Sequence, residues 1–205
     1  MNAGERSRGR DPIPVRSVVR TLLPGIALAL LAGAVYAEER TTIPSVSGGP
    51  ATGGVRMPEP GSAAPDFSIR DTEGGVFHFA EENAKRAVLL MFWSVFCEPC
   101  RVEMPVLQGL HDRHKDGGLE VVAVALDGEP LRNAVAGYVR QEGFTFRILI
   151  DELDPRETFK AADPYGVAWI PTLVLVERGG KVAFVKTGRV RGDELEKAVQ
   201  SFLKR

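Results

Sequence analysis

Cysteine and histidine are scarce, with two cysteines and three histidines in 205 residues. A structural zinc site takes four ligands, usually from two Cys or His pairs. Cys100 and His111 stand eleven positions apart on one expected helix, about 16 Å along its axis. They cannot share a metal, and His78 would leave the site incomplete, so no metal site is expected. His111 and His114 read as a solvated helix face. A basic excess is missing too: 26 Lys and Arg face 27 Asp and Glu. Without residues 1–37, 21 basic and 25 acidic residues remain, a net charge of −4. That balance argues against a nucleic-acid partner, which usually needs a basic face. No cysteine follows the N-terminal apolar run, which excludes a lipoprotein, and no Arg-Arg pair suggests twin-arginine export. Internal repeats are absent as well.

The composition, 44% hydrophobic and 26% charged, is that of a globular domain with a real core. At the front, Arg6, Arg8, Arg10, Arg16 and Arg20 precede the 17 residues TLLPGIALALLAGAVYA, Thr21 to Ala37. A spanning helix wants about 20 apolar residues. Val35 and Ala37 are small enough for a cleavage site before Glu38. Residues 1–37 are therefore expected to be a signal peptide, with an uncleaved membrane anchor through residues 21–37 as the alternative; either sends the rest of the chain out of the cytoplasm. Residues 38–61 are rich in Gly, Pro, Ser and Thr without apolar periodicity and read as a flexible linker. The domain is expected over residues 62–205.

Within it, PDFSI and GVFHFA flank RDTEGG as a hairpin. AVLLMFWS, Ala87 to Ser94, is a continuous apolar run, expected as a strand covered on both faces. A helix should follow from about Glu98 to Lys115. LEVVAVAL reads as a second buried strand, EPLRNAVAGYVRQEG as a helix and FRILID as a short strand. DPRETFKAAD reads as a short helix capped by Asp154. TLVLVERGGKVAFVKTG forms two strands around a Gly-Gly turn, and GDELEKAVQSFLKR closes the chain as an amphipathic helix. Alternating strands and helices argue for an α/β fold.

Cys97 and Cys100 fall where the first buried strand gives way to a helix. As a structural staple the pair would close a loop of four residues, which holds no two elements together and stabilises by only about 2 kcal/mol. At a helix start, Cys97 lies beside unsatisfied N–H groups and the positive end of the helix dipole. Both favour the thiolate and make Cys97 the attacking sulfur. Cys100, one turn further in, can resolve a mixed disulfide. Pro99 is tolerated in the first turn.

The segments LLMFWSVFCEPC and YGVAWIPTLVLV, with Pro105 eight positions after Cys97, resemble the TlpA/ResA-like thiol-disulfide oxidoreductases of the thioredoxin superfamily. The resemblance covers roughly residues 62–205 and implies a thioredoxin fold, a central mixed sheet flanked by helices, with an N-terminal β-hairpin and a helix-containing insert. It also implies that Cys97 is the nucleophile, Cys100 the resolving cysteine and Pro171 the cis-proline beside them. Ile170 would offer its backbone to a substrate strand. Glu103 would tune the cysteines. It lies three positions from Cys100 on the same helix side, where a carboxylate could take the Cys100 proton during resolution; an exposed helix acid is the plainer alternative. Met91 occupies the position where thioredoxins proper carry a buried Asp, which favours Glu103 as the base. Phe96 keeps an apolar rim before the first cysteine, and Glu98-Pro99 between the cysteines resembles reductants of restricted range. Trp93 is expected to pack against the site, with a substrate contact as the alternative. Trp169 is either a docking surface or a buried structural residue.

The resemblance implies an extracytoplasmic protein-disulfide reductase acting on specific disulfide-containing partner proteins, as in cytochrome c maturation. It would need no cofactor and would be recharged by a membrane thiol-disulfide transporter. Three rivals remain: a disulfide-donating oxidase using the same residues, a peroxidase built on Ser94 and Cys97, and a copper-binding chaperone using both cysteines.

Overall fold

The computed structural model describes residues 56–203, without the side chain of Phe202. The expected signal or anchor over 1–37, and the linker as far as residue 55, lie outside the described residues. Among those described, no helix is long and apolar enough to cross a membrane.

Seven strands form one mixed sheet in the order β2-β1-β5-β4-β3-β6-β7. At its centre β3 (Ala87–Trp93) pairs in parallel with β4 (Leu119–Ala125) and antiparallel with β6 (Thr172–Val176). All of β3 and β6 is buried, because side chains alternate between two covered faces. Leu89, Met91 and Trp93 join a cluster with Met104, Leu107 and Leu110, whereas Val88, Leu90 and Phe92 join Phe67, Phe79 and Tyr165 on the other side. Each such Val or Leu contributes about 1.5–3 kcal/mol, so the central strand anchors both layers. β5 (Arg147–Ile150) extends the parallel part beside β4.

The hairpin read from the sequence is β1 (Ser68–Asp71) and β2 (Val76–His78), with β1 also paired to β5. Its second arm is shorter than GVFHFA suggested. The chain turns into helix α1 (Phe79–Lys85), which buries only Phe79 and Asn83. Seven residues with two buried positions leave too little periodicity to read. Helix α2 (Glu98–His114) runs where expected. The insert begins with a 3-10 turn over Glu129–Leu131 before α3 (Arg132–Glu142). β7 (Val182–Thr187) returns from β6 through Gly179 and Gly180, at φ 96° and 94°, a left-handed region that glycine enters freely. Helix α4 (Gly192–Leu203) closes the fold.

DPRETFKAAD is not a helix. Asp154 Oδ1 accepts hydrogen bonds from the Arg156 and Thr158 amides at 2.7 and 3.1 Å, a local turn that competes with helix formation. Glu157, at φ 62°, takes the left-handed conformation that ends any helical run. A bridge between Leu153 and Phe159 makes the segment a tight hairpin instead. Nor are His111 and His114 a solvated face. Both are half-buried, with His114 Nε2 2.8 Å from Glu196 on α4 and His111 against the Phe146 ring.

Candidate active site

β3 ends in the middle of the sheet at Trp93, and residues 94–97 turn the chain into α2. Cys97 is the N-cap, with extended φ and ψ of −87° and 98°; its sulfur accepts from the Cys100 amide at 3.2 Å. The two sulfurs are joined, with an S–S length of 2.00 Å and Cα atoms 5.2 Å apart. Their exposure differs: Cys97 is half-buried and Cys100 wholly buried. Cys97 is thus the more accessible residue of the pair.

Large apolar side chains are exposed next to Cys97 in the chain and in the segment leading into β6, the neighbour of β3. Phe96 is 77% exposed and Trp169 75%; Glu98 and Pro99 are exposed beside them. The Ile170–Pro171 peptide bond is cis. Two hydrogen bonds fix the chain on either side of it. Thr172 Oγ1 donates to the Trp169 carbonyl at 2.7 Å, and the Gly188 amide to the Pro171 carbonyl at 2.7 Å. Ile170 is half-buried and Pro171 buried.

Trp93 requires a correction as a substrate contact. It is wholly buried and packs at a tilt of 43° against Tyr138 of α3 with ring centroids 5.7 Å apart, while Arg101 of α2 lies 5.2 Å over the Tyr138 ring. It supports the site from behind. The Trp169 surface reading is the one its exposure favours. Glu103 is not a solvated helix acid, being 2% exposed. Its Oε1 accepts from the Val190 amide at 2.9 Å and lies 3.7 Å from Arg189 Nε, which ties α2 to the segment before α4. Met91 is buried between Ala123 and Leu173, so an apolar side chain stands there.

Two acids escaped the sequence reading. Asp127, just beyond β4, accepts from the Ser94 hydroxyl at 2.8 Å and from the Val95 amide. Ser94 Oγ also accepts from the Phe96 amide, so this hydroxyl is engaged within its own loop, which weighs against a peroxidase built on it. Asp151, at the end of β5, is wholly buried and accepts from the amides of Ala161 and Ala162 at 3.0 and 2.8 Å. An acid directly after a buried strand was the available signal in both cases. Among the described residues, no three His, Cys, Asp or Glu side chains gather to hold a metal ion.

A thioredoxin-type sheet with a joined Cys-Glu-Pro-Cys pair at the start of α2 defines a class, the thiol-disulfide oxidoreductases. The family model described as Redoxin matches residues 59–201, and the chain belongs to that family. It is 32% identical over 186 residues to the thiol-disulfide oxidoreductase ResA of Geobacillus thermodenitrificans, covering 91% of this chain and 95% of the relative. The Bacillus anthracis ResA is 32% identical over 145 residues, covering 71% of this chain and 77% of the relative. Among solved structures, a thiol:disulfide interchange protein DsbE from Chlorobium tepidum superposes with a TM-score of 0.61 at 29% identity, covering 71% of this chain and 98% of that one. The chain is accordingly a thiol-disulfide oxidoreductase.

Proposed function

We propose that the chain is an extracytoplasmic reductase of disulfides in a restricted set of partner proteins, such as apocytochromes c before haem attachment. The observation that carries the cysteine cycle is the unequal exposure of the pair, Cys97 half-buried at the helix cap and Cys100 wholly buried one turn in; the direction is supported by the resemblance of Glu98-Pro99 to reductants of restricted range. In the reduced protein the Cys97 thiolate attacks one sulfur of the partner's disulfide and forms a mixed disulfide, and the partner's other sulfur leaves as a thiolate and is protonated. Cys100 gives its proton to Glu103 and attacks Cys97 Sγ, which breaks the mixed disulfide and frees the partner's second thiolate. Two electrons pass to the partner, and the Cys97–Cys100 disulfide remains. A membrane dithiol protein of the thiol-disulfide transporter type then restores the dithiol.

Exposed Phe96 and Trp169 form the docking rim, with Glu98 and Pro99 shaping it and the Ile170 backbone, next to Pro171, pairing with the partner's chain. The location rests on residues 1–37, as a signal peptide or as an anchor through residues 21–37. The equilibrium reduction potential against a thiol buffer tests the direction. A value well below about −200 mV is expected of a reductant, whereas a value near about −120 mV would make the protein a disulfide donor. Cys97→Ser should abolish the couple. Cys100→Ser should accumulate a mixed disulfide through Cys97, from which the partner can be identified; failure of any such adduct to form would count against Cys97 as the attacking sulfur.

A further inference from the structure

We propose that Asp127 is a positioning residue for the redox pair: its carboxylate clamps the Ser94–Val95 turn and so sets the reactivity of Cys97. The inference rests on the reading of Cys97 as the attacking sulfur. β3 and β4 pair in parallel register as far as Trp93 and Ala125, and the Leu126 amide donates to the Trp93 carbonyl at 2.9 Å. That pairing carries Asp127 level with the turn leading out of β3. Gly128, at φ 73° and ψ 174°, then swings the chain away, a conformation costly for a residue with a Cβ.

The contacts form a relay. Asp127 Oδ1 accepts the Ser94 hydroxyl at 2.8 Å, and the Val95 amide lies 3.3 and 3.2 Å from the two carboxylate oxygens. Ser94 passes the constraint on: its Oγ accepts from the Phe96 amide at 3.2 Å and its carbonyl from the Cys97 amide at 3.1 Å. The amides of residues 95, 96 and 97 are thus tied to Asp127 directly or through Ser94. Hydrogen bonds to an ionised acceptor are the stronger kind. Cys97 gains from the helix terminus only while it holds the N-cap conformation, because the dipole and free amides act within the first turn.

A nearby carboxylate has a second, opposing effect, since negative charge disfavours a thiolate. Here the carboxylate's contacts are with the Ser94 hydroxyl and the Val95 amide of the turn, and positioning is the effect that this geometry favours. The two effects predict opposite signs on charge removal, which makes them separable.

The test follows alkylation of the reduced full chain by iodoacetamide against pH, with mass spectrometry locating the label and thermal melting checking the fold. Below the titration midpoint, Asp127→Ala should slow Cys97 labelling by about two- to fivefold, the scale of a helix-terminus contribution, with the midpoint moved upward. Asp127→Asn, which keeps an acceptor oxygen without the charge, should recover most of the rate. Ser94→Ala, which keeps the carboxylate but cuts the relay to Phe96, should fall between. If melting drops while the midpoint stays fixed in both Asp127→Ala and Ser94→Ala, Asp127 is merely structural and the proposal is overturned. A midpoint moved downward in Asp127→Asn would overturn it in favour of charge. Should Asp127→Ala not fold, the other two variants decide by the same criteria. Labelling of Cys100 before Cys97 in the unsubstituted protein would overturn the underlying reading and the proposal with it, an outcome the label's position distinguishes from failure of the clamp alone.

Discussion

Burial strips Asp151 of water while supplying it with the amides of Ala161 and Ala162, and the loss of hydration is the larger effect, so its carboxyl is pushed up to about 6. The native state then binds a proton more readily than the unfolded chain between about pH 4 and pH 6. Its ionised form therefore costs stability above pH 6, and that cost is relieved as the pH falls towards 4. The full swing is on the order of 2–3 kcal/mol. Asp151→Asn should flatten this part of the melting-versus-pH curve, and an unaltered slope would show that another group is responsible. Asp151→Ala should cost more at every pH, because two buried amides lose their acceptor. In FRILID the one signal was an acid closing a buried strand, which does not say what that acid would accept. Cys97 and Cys100 were legible because two cysteines at one-turn spacing are a local fact. The partners of Asp127 and Asp151 depend on how distant segments come together, and no single segment carries that information.

Helices α2 and α4 are joined at one acid. Glu196 accepts from Arg113 Nη2 at 2.7 Å and from Gln200 at 2.8 Å, and lies 2.8 Å from His114 Nε2. Burial alone would raise its carboxyl, but the hydrogen bonds from His114, Arg113 and Gln200 outweigh it and hold it at about 2. A carboxyl lowered on folding stabilises above its unfolded value, near 4.5, and loses that contribution as the pH falls through about 2. Glu196→Gln should therefore cost about 1 kcal/mol at neutral pH, given the partial exposure of the partners. The gap to the unsubstituted protein should close between pH 4.5 and 2, below the window of Asp151, and urea titration at several pH values separates the two. A constant gap would mean that packing rather than charge joins the helices. At this scale the sequence spoke clearly for long elements. The run in β3 is apolar throughout, those in β4 and β6 are broken only by Glu120 and Thr172, and α2 has the length for its period to emerge. It misled at Asp154, where a side chain satisfying its own turn imitates a helix cap until the left-handed residue at Glu157 is seen.

The order of seven strands could not be read from patterning, since burial on both faces says that a strand is central but not which strand lies beside it; only the resemblance supplied the arrangement. The edges were still less visible. β7 is the outer strand on one side of the sheet, and an open edge invites pairing with another chain. Here residues 61–64 cover its beginning. The Gly61 amide donates to the Val182 carbonyl at 2.7 Å, the Val182 amide to the Ser62 carbonyl at 2.9 Å, and the Ala64 amide to the Gly180 carbonyl at 2.8 Å, with a bridge between Ala63 and Lys181. Of these residues only Gly61 was read as linker; it is bonded to β7, and the other three fall within the expected domain. A chain starting at Arg56 keeps these bonds, and one starting at Pro65 loses all three. At about 1 kcal/mol net for each, the shorter chain should be less stable by about 3 kcal/mol. For a domain near 150 residues, that corresponds to a melting temperature roughly 6–12 °C lower. The redox pair lies two strands further in, after β3, so the reduction potentials of the two chains should agree. Light scattering should also detect association of the shorter chain through the uncovered start of β7. Equal melting temperatures would mean that residues 61–64 lie along the sheet without stabilising it, and β7 would then need another explanation for remaining unpaired.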